Sequence, residues 1–164
     1  MSSNENVQRW QAIYEQSLDI INHVQPTIWW DREFIGQDGK ATWGGLVELR
    51  TIHMGGGRQN GKTTWIRDFM VKNPKAIVVL CNSGLRNNFI DAWAVEHKES
   101  VFTRAFTIMD LVTIVNNGPK QSLAFLNETT HVIFDDASYN NAIHTFAQTG
   151  NGLFTKDTVV IRMG

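Results

Sequence analysis

The sequence predicts an α/β domain: a mainly parallel sheet with helices on both faces, preceded by an N-terminal helix and an aromatic-rich segment. Three observations carry this. Short apolar runs such as "AIVVLCN", "HVIFDD" and "DTVVIRMG" read as strands buried on both sides. The stretches between them place apolar residues at helical spacing. A length of 164 residues, 42% hydrophobic and 19% charged, suits one ordinary soluble globular domain.

Taken in order, Val7, Trp10, Tyr14, Leu18 and Ile21 recur at helical spacing between Glu5 and Val24, and Pro26 stops the pattern. The segment "TIWWDREFIGQDGKATWGG" follows, with "QDG" as a turn signal, and reads as a short hairpin or a structured loop. "LVELRTIHM" reads as the first strand of the sheet, and Lys62 to Lys72 as a helix ended by "NPK". After the strand "AIVVLCN", Leu85, Phe89, Ala92 and Trp93 give a second helix its apolar face. Thr107 and Asp110 resemble a capping box for a third, with Ile108, Leu111, Val112 and Val115 as its stripe and "NNGP" as its close. "HVIFDD" is the next strand, "YNNAIHTFAQTG" a helix and "DTVVIRMG" the last strand. The chain divides into an N-terminal extension, 1–45, packed on a core domain, 46–164.

The stretch "GGRQNGKTTW" carries the chemistry. Gly56, Gly61, Lys62 and Thr63 meet the pattern G-x-x-x-x-G-K-S/T. Glycines let the backbone curl so that successive N–H groups face phosphate oxygens, and the following helix aims its positive end at the same point. Gly56, Gly57, Arg58, Gln59, Asn60, Gly61, Lys62, Thr63 and Thr64 form the phosphate-binding stretch. Lys62 would reach the outer phosphates, and Thr63 would offer its hydroxyl to magnesium. A second magnesium partner is expected at the end of a neighbouring buried strand. "HVIFDDAS" supplies it: Asp135 would hold the metal through water, and Asp136 would orient the attacking water. Two adjacent carboxylates there could otherwise form a surface turn.

At these residues the chain resembles the ATP-binding domain of phage large terminases and, more distantly, the first RecA-like domain of superfamily 1 and 2 helicases. "GRQNGKTT" is close to the terminase Walker A motif, with Arg-Gln before the second glycine. "AIVVLCNSGLRNNFIDAW", "VFTRAFTIMDLV" and "HVIFDDAS" follow in the family's motif order, so the likeness covers Leu46 to Gly164. The resemblance implies a P-loop ATPase of the additional-strand, catalytic-glutamate type, using ATP and Mg2+. Gly61, Lys62 and Thr63 would bind phosphate and metal, Asp135 would be the Walker B aspartate, and Arg58 would sense the γ-phosphate. It also implies a nucleic-acid partner, most specifically double-stranded DNA during viral packaging, and a homo-oligomer or a partner protein in the host cytoplasm. Adenine is often read by an upstream glutamine, for which Gln11 and Gln25 are the candidates.

Three features depart from that family. Asp136 stands where it has glutamate, "IRMG" replaces its threonine-rich coupling motif and leaves Arg162 unassigned, and the 164 residues are expected to hold one RecA-like domain with neither the second such domain nor the nuclease domain of that family. The shorter acid fits slow hydrolysis, since a displacement of about 1 Å can cost on the order of 100-fold. A nucleotide-dependent binding module therefore stands as the alternative, beside a helicase-like domain or a small kinase without an arginine-rich lid. A neighbouring subunit could lend Arg67, Arg86, Arg104 or Arg162 to the site.

Fifteen basic and sixteen acidic residues leave a net charge of −1, so nucleic acid alone should bind weakly. The lone Cys81, in an apolar run, reads as a buried structural thiol in a reducing compartment. No run approaches the roughly 18 apolar residues of a membrane span, and "MSSNENVQRW" is not a signal peptide. Trp29, Trp30 and Trp43 either seal the sheet edge or stack on bases, while Trp65 and Trp93 fall on apolar helix faces. The five histidines show no zinc-ligand spacing.

Overall fold

The structure is a computed structural model that describes residues 3–24, 41–55, 61–98, 101–117, 120–146 and 154–164. Its elements run α1 (Ser3–Val24), α2 (Trp43–Leu49), β1 (Thr51–Met54), α3 (Lys62–Lys72), β2 (Ala76–Leu80), α4 (Ser83–His97), β3 (Ala105–Thr107), α5 (Ile108–Asn117), α6 (Lys120–Asn127), β4 (His131–Asp135), α7 (Asp136–Phe146) and β5 (Val159–Met163). The strands form a five-stranded sheet in the order β1-β5-β4-β2-β3, and every ladder is parallel.

Strand alternation divides the core in two. Ile52, Met54, Val78, Ile133, Ile161 and Met163 face a layer made by α1, α3 and α4, where Trp10, Tyr14, Trp65, Phe69 and Trp93 pack. Ile77, Val79, Val132, Phe134 and Val160 face the other way, onto Trp43, Leu46, Leu111, Leu126 and Tyr139. Helices on both faces are what a parallel sheet with crossover connections requires. The architecture is compatible with a RecA-like α/β fold.

The stripes of α1 and α5 seat as expected, whereas on α4 only Phe89 and Trp93 enter the core, and Leu85 and Ala92, expected on the same face, are exposed. Trp10 and Tyr14 of α1 are buried, with Val7, Leu18 and Ile21 packed against the same cluster. The box at α5 closes reciprocally: Thr107 N–H donates to Asp110 Oδ2 at 2.7 Å, and Asp110 N–H donates to Thr107 Oγ1 at 3.2 Å. Asn73 ends α3 by donating from its side-chain amide to the Phe69 carbonyl at 2.9 Å. Trp43, Trp65 and Trp93 are all core residues.

Two elements differ from expectation. "LVELRTIHM" is not one strand, because its first half belongs to α2 and β1 begins only at Thr51. Thr42 caps that helix, its Oγ1 accepting from Gly45 N–H at 3.1 Å, and Trp43 and Leu46 seal it onto Phe134. Gly44 and Gly45 are weak helix formers, so tertiary burial decides the conformation. The second difference is α6, which the residues after "NNGP" did not announce. Its apolar residues are few, Leu123, Phe125 and Leu126 within eight positions, and the helix is held by Leu126 entering the core. The segment read as a hairpin or structured loop, 27–45, lies outside the described residues as far as position 40, Trp29 and Trp30 included; its end is described, where Ala41 bridges Phe154 and Trp43 to Gly45 open α2.

Candidate functional site

A parallel sheet delivers all its carboxyl ends, and the loops that leave them, to one edge. Here that edge collects Gly55 after β1, Gly164 after β5, Asp135 at the end of β4 and Cys81 after β2. Gly164 N–H donates to the Met54 carbonyl at 3.2 Å, which brings the ends of β1 and β5 level. With strands about 4.8 Å apart, β1 and β4 stand roughly 10 Å apart with β5 between them.

α3 starts at this edge. Gly61 precedes it at φ 80°, a left-handed conformation that side chains rarely adopt, and its carbonyl accepts the first helical bond from Trp65 N–H at 2.9 Å. The N–H groups of the first turn have no partner within the helix, so its positive end faces the strand termini. Lys62 Nζ donates to Gly164 O at 2.5 Å, crossing above the end of β5. Thr63 is exposed and Thr64 half-buried in the same turn. These residues fit a phosphate: a glycine at positive φ, a helix N-terminus and an ammonium meet at one place. Gly56, Gly57, Arg58, Gln59 and Asn60 lie outside the described residues.

Asp135 has a dense set of partners. Its Oδ1 accepts from Ser138 N–H at 2.6 Å and from the Ser138 hydroxyl, which caps α7. Its Oδ2 accepts from Cys81 N–H at 2.8 Å, tying β4 to the end of β2. A carboxylate has about four lone-pair positions, and Ser138, the Cys81 N–H and the Cys81 thiol draw on all of them, so a metal-bound water at Asp135 would have to displace one of these bonds. Asp136 opens α7, and its side chain lies outside the described residues. Among the described residues no group of three His, Cys, Asp or Glu side chains forms a metal cage. Cys81 is half-buried, not fully buried as expected, because β2 has just left the sheet. Burial and the neighbouring Asp135 charge push its thiol up, which makes it a poor nucleophile.

The remaining cations sort by position. Arg67 pairs with Glu96 at 2.6 Å, and Arg86 with Asp110 at 2.7 Å. Burial raises the Asp110 carboxyl, but the bonds from Thr107 and Arg86 outweigh it and hold the group below its ordinary value. Arg104 donates to the Met70 carbonyl at 2.9 Å and lies over Trp93. Arg162 alone of the four borders the candidate site: its guanidinium lies 5.0 Å from the Tyr139 ring centre. It lines a cavity of about 270 Å³ with His53, Met54, Gly55 and Gly164. His53 is the register partner of Arg162, and its ring meets Tyr139 edge-on.

Gln11 lies on α1, where Oε1 accepts from Trp65 Nε1 at 3.3 Å and Nε2 donates to Glu15 at 2.8 Å. Gln25 lies outside the described residues. His53, Ser138, Tyr139 and Gly164 belong to this edge and no motif marks them. Only the alternation of β1 and β5 could have paired His53 with Arg162. Comparisons with protein-family models, with curated proteins and with solved structures returned no match.

Proposed function

We propose that this chain binds and hydrolyses a nucleoside triphosphate, ATP with Mg2+, at the carboxyl edge of its sheet. Its most specific version is the ATPase of a nucleic-acid motor of the DNA-packaging kind, assembled as an oligomer or with a partner protein. One observation carries the reading. Lys62 reaches over the end of β5 from the N-terminus of α3, while Asp135 ends the next strand, so a cation and a metal-suited carboxylate flank one strand terminus. The intercalated β5 is also the arrangement that the additional-strand class takes its name from.

In this reading the first-turn N–H groups of α3 and the Lys62 ammonium neutralise the outer phosphates. Bound magnesium would supply further charge neutralisation between those phosphates. Asp135 would orient a water ligand, and its bonds to Cys81 and Ser138 hold the carboxylate in place at the end of β4. Those same bonds favour a second reading, a nucleotide-dependent binding module with slow turnover, because most of the carboxylate's capacity serves the fold.

Calorimetry with Mg2+–ATP on the wild type and Lys62→Ala tests the site. Affinity should fall at least about tenfold, as for loss of a charge-assisted contact, with the circular-dichroism melt nearly unchanged. Equal affinities would remove Lys62 from any phosphate site. Turnover measured beside it, with and without double-stranded DNA and over a dilution series, separates motor from module. A motor should gain activity with DNA or concentration, whereas a module stays slow throughout.

A further inference from the structure

We propose that Gln11 is a positioning residue of the phosphate site: through Trp65 it holds the first turn of α3, and it does not read a base. This rests on the nucleotide reading above and gives α1 a part in that site.

α1 reaches the turn through one side chain. The Trp65 backbone N–H closes the first turn of α3 on the Gly61 carbonyl at 2.9 Å, three residues after Lys62. The Trp65 ring is 1% exposed and packs on Tyr14 and Phe69, with ring centres 6.0 and 4.9 Å away. An indole N–H held inside the fold needs an acceptor. Gln11 Oε1 is that acceptor, at 3.3 Å, across 54 positions of chain.

The carboxamide is itself oriented. Its Nε2 donates to Glu15 Oε1 at 2.8 Å, one helical turn on. Turned the other way, it would set oxygen against carboxylate and N–H against N–H. Both polar atoms of Gln11 thus serve the α1–α3 pair, and a two-point contact with adenine would need the same two atoms. Gln11, Glu15 and Trp65 also border a cavity of about 320 Å³ that runs on to Asp68 and Lys72. Once Gln11 is replaced, the indole N–H gains a partner by tilting toward water in this cavity. That motion pulls on the turn that carries Lys62, and an anion site made of N–H groups depends on their aim.

The test titrates the wild type, Gln11→Met and Gln11→Glu with Mg2+–ATP, Mg2+–GTP and tripolyphosphate, beside a circular-dichroism melt of each. Gln11→Met keeps the side-chain length and loses both bonds; it should weaken all three ligands alike, by about three- to tenfold. Gln11→Glu keeps an acceptor for Trp65 and should bind all three within about twofold of the wild type. Should the methionine variant not fold, the glutamate variant decides, because a base reader without its N–H would lose ATP selectively. A loss confined to ATP in either variant would make Gln11 a base reader. Unchanged binding in Gln11→Met would leave it a structural residue, and a glutamate variant as weak as methionine would remove Trp65 as the route. Each of these overturns the proposal and leaves the nucleotide reading standing. A wild type that binds none of the three ligands would overturn both.

Discussion

The two ends of the sheet are built to different rules. At the amino end, polar groups meet one another across elements. Tyr14 Oη and His131 Nε2 are 2.8 Å apart, Thr158 Oγ1 donates to the Thr129 carbonyl, and Arg50 reaches both Asn22 and the Asp157 carbonyl. Phe69 packs against Tyr14, Trp65 and His131 there. At the carboxyl end, His53, Met54, Gly55, Arg162 and Gly164 line a cavity, and Lys62 bonds Gly164 O beside it. The amino end turns its polar groups toward one another across the fold, and the carboxyl end sets cationic side chains beside a cavity. Lesions at the first should therefore cost stability, and lesions at the second should cost binding.

The strongest way to break this contrast is Phe69→Ala. Phe69 is 3% exposed at the centre of the aromatic cluster, so its loss should destabilise the fold by about 3–5 kcal/mol in urea unfolding. Nucleotide affinity of the protein that remains folded should be unchanged. A cost below about 1 kcal/mol would mean that α1 is not integral to the core.

Acid offers a second test at the same end. Burial, with the Arg50 charge adding to it, pushes the His131 imidazole down to about 4 from its ordinary 6.5. Between those values the unfolded chain binds a proton that the folded chain refuses. Stability should thus fall as pH drops from about 6.5 toward 4, by up to about 3 kcal/mol from this group. His131→Gln should flatten that part of the profile relative to the wild type, and an unchanged slope would remove His131 as its source. Tyr14, pushed up to about 12 mainly by burial, should act at the other extreme, where stability falls as pH rises above about 10.

The smallest stability effect, and the sharpest for function, is expected at Asp135. Asn at this position keeps one acceptor for the cap of α7 but loses the charge, so unfolding should shift by only about 1 kcal/mol. Magnesium-dependent nucleotide affinity should nevertheless drop severalfold, while any metal-free binding is spared. A large loss of stability with unchanged magnesium dependence would reassign Asp135 to the fold alone.

Much of this molecule was legible in the chain, and the legible parts share a cause. Helical periods in α1 and α5, the Thr107–Asp110 box and the strand runs at β2, β4 and β5 are local patterns, so a dozen residues suffice to specify each. The glycine pattern marked Gly61, Lys62 and Thr63 for the same reason: backbone freedom and helix start lie within a few positions. What stayed hidden depends on distant residues. α2 is a helix because Trp43 and Leu46 find Phe134, some ninety positions away, and α6 holds because Leu126 finds the core.

Site composition followed the same division. Sequence alone determined an alternating α/β chain with a cationic, glycine-bearing turn ahead of α3 and an aspartate ending a buried strand. Tertiary structure decided that β5 lies between β1 and β4, that Lys62 meets Gly164, that Cys81 and Ser138 hold Asp135, and that Arg162 joins His53 over Tyr139. Strand order and register arise from burying both sheet faces at once, and that requirement sums over the whole chain and leaves no mark at any one position.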